Sequence, residues 1–142
     1  MKKNTIYIMV FIICLSIGMG WYFSPMQLHY LVSKEIQIDK VEGIAINVFT
    51  SHLQNTYEVN DKANIDKITI FFDDIKVRRV IAQPVTFKSP LSKTYYFILT
   101  SKNNAVPVYF MDKDYLVVMR HTYKIVNETD LKQIDDIINS LW

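Results

Sequence analysis

The chain has one cysteine in 142 residues, Cys14, and it sits inside an apolar run near the N-terminus. One thiol cannot close an intrachain disulfide, so everything beyond that run must be held together by its own core. A cysteine-free domain also suits an oxidising exterior, where stray thiols are a liability. Lipoprotein processing does not fit Cys14. It follows Phe11-Ile12-Ile13 with no small residue before it, and the apolar run continues past it. It reads instead as an apolar side chain facing lipid. Glycine is as scarce, with Gly18, Gly20 and Gly43 making up the full set. That scarcity excludes glycine-rich phosphate loops of the P-loop and dinucleotide types, and the G-x-S-x-G elbow of serine hydrolases is missing too. A charge bias is also lacking. The net charge is +2, and Lys2 and Lys3 supply all of it, since the remainder holds 14 basic and 14 acidic residues. Nucleic-acid-binding domains carry a clear basic excess, so nucleic acid is set aside as a partner.

What the chain does have is apolar residues, 50% of the total, and a generous aromatic share of 13%. Thr5 to Phe23 contains no charged residue. As a helix rising about 1.5 Å per residue, this stretch spans roughly 28 Å, close to the hydrocarbon thickness of a bilayer. Ile6, Ile8, Val10, Phe11, Ile12, Ile13, Leu15 and Ile17 form its body, and Trp21, Tyr22 and Phe23 close it as an interfacial aromatic cluster. Lys2 and Lys3 precede the run, and the next formal charge after it is Lys34. The positive-inside rule therefore predicts a single-pass anchor in the cell membrane, N-terminus cytoplasmic and the rest extracytoplasmic, with membrane lipid as one partner. A cleaved signal peptide is the rival reading, with Gly18 and Gly20 as the small residues before a cut. Against it, the run is longer than a signal core and lacks the usual alanine pair.

Residues 1–23 thus read as the anchor, 24–35 as a connector, and 36–142 as an extracytoplasmic α+β domain. The expected architecture is an N-terminal transmembrane helix followed by a small domain with an antiparallel β-sheet and two helices packed on it. Ile36, Ile38, Ile44, Ile46 and Val48 alternate as in a strand with one buried face. Thr56–Val59 is a second strand. Asn60 or Asp61 caps a helix that carries Ile65, Ile68, Phe72 and Ile75 on one face and runs to Lys76, with Arg78 and Arg79 beyond complementing its dipole. Pro84 and Pro90 bracket an irregular segment around Val85–Phe87. Thr94–Thr100, Val106–Met111 and Tyr115–Arg120, joined by the turn residues Lys102–Asn104 and Asp112–Asp114, predict a meander, and Thr122–Val126 adds a strand. Leu131, Ile134, Ile137, Ile138 and Leu141 stripe a closing helix, capped by Asn127 or Thr129.

No motif compels catalysis. His29, His52 and His121 lack metal-ligand spacing, and His29 is expected near the bilayer. The acid pairs Asp73-Asp74 and Asp135-Asp136 read as solvated helix faces, since adjacent helical residues diverge by about 100°. Asn127-Glu128-Thr129 matches a glycosylation sequon. No cofactor, metal or catalytic residue is expected. Lys76, Arg78 and Arg79 form a local basic cluster that could meet anionic headgroups. Tyr95, Tyr96, Tyr109, Tyr115 and Tyr123 suit either a sheet or a recognition surface. Arg78, Arg79, Tyr95, Tyr109 and Tyr115 are the candidate partner surface.

The helix Asp61–Lys76, the Ser89-Pro90-Leu91 break, Tyr95-Tyr96-Phe97-Ile98, Asp114-Tyr115-Leu116, Tyr123-Lys124-Ile125 and the closing helix together resemble small membrane-anchored extracytoplasmic proteins of low-GC Gram-positive bacteria. That resemblance brings no catalytic residues with it. The functional expectation is a non-enzymatic accessory or binding module that contacts an unidentified membrane or surface protein. A small envelope enzyme and an immunity or resistance factor against a secreted peptide are the alternatives.

Overall fold

The computed structural model describes residues 3–50, 53–81, 93–111, 114–127 and 131–140. Helix α1 (Lys3–Tyr22) is apolar on every side from Asn4 onward, and the stretch Asn4–Tyr22 is not buried against the rest of the chain. It is long and apolar enough to cross a membrane. After it come β1 (Met26–Gln27), α2 (Leu28–Glu35), a 3-10 turn (Ile38–Lys40), the hairpin β2 (Gly43–Thr50) and β3 (Gln54–Val59), and α3 (Lys62–Asp74). Strand β4 (Lys76–Arg79) follows. The described chain then resumes with β5 (Lys93–Thr100), β6 (Ala105–Phe110), β7 (Tyr115–Val118), β8 (His121–Ile125) and α4 (Lys132–Ser140). The eight strands among the described residues form one antiparallel sheet in the order β1-β4-β8-β7-β6-β5-β2-β3. The class is α+β, as expected.

Strict alternation in β5 sends Tyr95, Phe97 and Leu99 to one face and Thr94, Tyr96 and Ile98 to the other. The first face carries the core. Phe72 of α3 is fully buried and meets Phe97 edge-on at 5.4 Å, while Phe71 lies 6.5 Å from Phe110. Leu28, Leu31 and Val32 of α2 and Ile134 and Ile138 of α4 join the same cluster. Asp61 caps α3 by accepting from the Asn64 N–H at 3.0 Å. Gly43 is needed where β2 begins. An added Cβ there would stand 2.7 Å from Asn60 Oδ1 and 3.2 Å from Thr100 Oγ1.

Three expectations change. Residues 24–35 do not form a free connector, because β1 pairs with β4 and α2 buries three apolar side chains. The domain starts at Met26, and α2 is a third helix on its core face. Ile36 and Ile38 are not strand residues. Ile36 ends α2 by donating its N–H to Val32 O, and Ile38 opens the 3-10 turn. Both still face the core, since a short apolar alternation specifies burial better than backbone type. Finally, α3 stops at Asp74, and Lys76, Arg78 and Arg79 lie on strand β4, so the helix-dipole argument for them falls away.

The helix stops there because of a distant side chain. Asn127 accepts from the Lys76 N–H at 2.7 Å and donates its Nδ2 to Asp74 O at 2.7 Å, clamping the chain as it turns from helix to strand. Asn127 therefore serves α3 and β4, not the start of α4. The expectations for Pro84–Pro90, Asp112-Lys113, Glu128-Thr129 and Leu141 lie outside the described residues.

Candidate functional site

Two surfaces collect the candidate residues. The first is the sheet face opposite the helices. Register places Thr122, Val117, Tyr109, Tyr96, Asn47 and Thr56 in one row across six strands. Tyr96 and Tyr109 meet edge-to-face at 6.0 Å. With Phe49 and Thr94 they outline a shallow apolar hollow of about 360 Å³. A neighbouring row runs Arg78, Lys124, Tyr115, so like charges sit side by side at the β4–β8 end of this face. Of the candidate partner residues, Arg78, Tyr109 and Tyr115 share this face.

Tyr95 does not. It lies on the core face, 4% exposed, and its hydroxyl donates to Asp135 Oδ1 at 2.9 Å. Burial first, then the Asp135 carboxylate, push its pKa far above the ordinary tyrosine value. Lys93 Nζ reaches the other Asp135 oxygen at 2.8 Å, so this group fastens α4 to β5. Strand alternation makes Tyr95 and Tyr96 opposites, a distinction that adjacent tyrosines in a sequence do not reveal.

Arg79 also leaves the predicted surface and joins the second site, where α1 meets the domain. Its guanidinium sits 4.4 Å from the centre of the Tyr22 ring, a cation–π contact at the last residue of α1. Arg79 is paired across the ladder with Tyr123. Burial raises the Tyr123 pKa, the charge and hydrogen bond of Arg79 oppose that rise, and Tyr22 and Glu35 add to it. Tyr22, Arg79 and Tyr123 line a cleft of about 350 Å³. Arg120, His121, Thr122, Val80 and Ile81 line it as well. Ile81 is 84% exposed. Thr122 is buried, and its Oγ1 has no hydrogen-bond partner among the described residues. Sequence reading placed Arg120 only at a strand end and gave His121 no role beyond lacking metal-ligand spacing. The signal lies in register, since Val118 and His121 face each other across the turn Met119-Arg120, which delivers Arg120 to the end of the sheet where β4 finishes.

The other acids and imidazoles do not converge. His29 Nδ1 lies 3.1 Å from Asp73 Oδ1, tying the start of α2 to the end of α3; it belongs to the domain fold. In each acid pair one member is engaged and its neighbour is exposed, Asp73 lying against His29 beside exposed Asp74, and Asp135 reaching β5 beside exposed Asp136. Among the described residues no group of three or more His, Cys, Asp or Glu side chains could hold a metal ion. Comparison with protein-family models, curated proteins and solved structures finds no match.

Proposed function

We propose that this protein is a single-pass, membrane-anchored accessory module whose extracytoplasmic domain acts by contact with a membrane or surface protein and performs no catalysis. The carrying observation is the contrast between α1 and the domain. From Asn4 to Tyr22 α1 is apolar and unburied, while the residues beyond it close a core of their own. A helix that is apolar all round has lost its stabilising solvent unless lipid or another protein surrounds it. Lys2 and Lys3 favour a cytoplasmic N-terminus. The partner-facing element in this reading is the open sheet face with Tyr96, Tyr109 and Phe49, because Tyr and Phe offer large rigid contact areas. Confinement to the bilayer raises the effective concentration of such a surface toward membrane partners, so a weak interface suffices.

The test is site-specific photocrosslinking in intact membranes, with the probe at Tyr109 and, as control, at Asp136 on the helix side. The proposal expects a discrete adduct from Tyr109 and none from Asp136. Equal background from both positions, together with turnover of a wall polymer by the purified chain, would replace this reading with an envelope enzyme.

A further inference from the structure

We propose that the cleft between the end of α1 and the ends of β4 and β8 binds the phosphate of an anionic phospholipid headgroup. The inference deepens the anchoring reading above and rests on it.

Position comes first. Tyr22 ends α1, and the cation–π contact fixes Arg79 against it. If α1 spans the bilayer, Arg79 is held at headgroup depth. Ile81, almost wholly exposed two residues further on, gives the rim an apolar tip that acyl chains would cover.

Chemistry comes second. Arg79, Arg120 and His121 line one cleft. Among the described residues neither Arg79 nor Arg120 is in a salt bridge, and the His121 imidazole lines the same cleft. Among the described residues Glu35 is the acid whose charge is felt at Tyr123. Guanidinium groups present forked N–H donors that match phosphate oxygens, and Arg79 keeps donors beyond those used on Tyr123. The volume of about 350 Å³ accommodates a headgroup but not a folded partner. A zwitterionic lipid would bring its own cation into this cluster, so the selectivity runs toward net-anionic headgroups.

The test uses the full chain in neutral detergent micelles. Short-chain phosphatidylglycerol, short-chain phosphatidylcholine and inorganic phosphate are titrated separately while the amides of Arg120–Tyr123 and the His121 ring are followed by NMR. The expected result is a saturable shift with phosphatidylglycerol and at most a weak, non-saturating drift with the other two. Arg120 is exposed, on a turn, and without an ion pair among the described residues, so R120A should leave the fold intact. It should weaken phosphatidylglycerol binding roughly fivefold, and R120K should recover part of the loss. Equal shifts from both lipids, equally tight binding of inorganic phosphate, or an unchanged R120A titration would each overturn the assignment. Flotation with phosphatidylcholine vesicles separates the two levels. A chain that floats but ignores phosphatidylglycerol loses only the headgroup site, whereas a chain that fails to float loses the anchoring reading as well.

Discussion

Asn127 closes the turn from α3 into β4 with both ends of one amide, and removing either half should have a distinct signature. In N127A both 2.7 Å hydrogen bonds disappear. Each is worth about 0.5–1.5 kcal/mol net, and the freed groups at this rim can partly hydrate, so the expected loss is about 2 kcal/mol. For a domain of about 100 residues that lowers the melting temperature by roughly 8–16 °C. N127D is more informative. The introduced carboxylate can still accept from the Lys76 N–H but cannot donate, and it turns an oxygen toward Asp74 O. Its ionised form is therefore disfavoured in the fold, which raises its folded pKa above the unfolded value of about 3.9. A raised pKa means stability that is fully present below the unfolded value and lost as pH rises through the folded value. N127D should therefore melt below N127A at neutral pH and regain stability on acidification through roughly pH 5 to 4 relative to N127A. Near-UV circular dichroism of the full chain in neutral detergent, scanned at several pH values, reports both. An N127A loss under about 0.5 kcal/mol, or an N127D curve parallel to that of N127A at every pH, would refute the clamp.

Three further outcomes follow from the packing. F72A empties a fully buried site against Phe97 and should cost about 3–5 kcal/mol in denaturant titration, a large share of the stability of a domain this size. Y95F removes the hydroxyl from Asp135, whose side chain is 31% exposed, so about 1 kcal/mol is expected after allowance for solvent. Because the fold raises the Tyr95 pKa, wild-type stability should fall as pH climbs past about 10, and Y95F should lack that part of the fall. Met119 sits at φ 55° in the β7–β8 turn, so M119G should gain about 0.5–1 kcal/mol in the same titration.

Much of the fold was legible from local pattern. The stripe Ile65, Ile68 and Phe72 and the alternation Tyr95, Phe97, Leu99 each bury as their periods require. Asp61 caps as its side chain allows. In two of the misses a non-local contact had decided. Lys76–Arg79 has a composition that suits a helix end, and only pairing with β1 and β8 and the Asn127 clamp make it a strand. Met26–Glu35 looked like a tether because β1 is only two residues long and its partner lies beyond α3. The candidate surface divided for the same reason. Tyr109 and Tyr115 share a face with Arg78, but Tyr95 faces the core and Arg79 faces Tyr22. Charge and aromatic content are visible in a sequence, whereas the face each side chain takes is a property of register.

The lone thiol offers the most direct measurement of the central claim. Cys14 lies mid-way along α1 with nothing of the domain covering it, so in a membrane-spanning α1 its shield is the surrounding lipid. In sealed membranes carrying the full chain, a membrane-impermeant maleimide should leave Cys14 unmodified until detergent is added, while K102C in a C14S background should label at once from the outer side. Rapid modification of Cys14 without detergent would contradict a membrane-spanning α1.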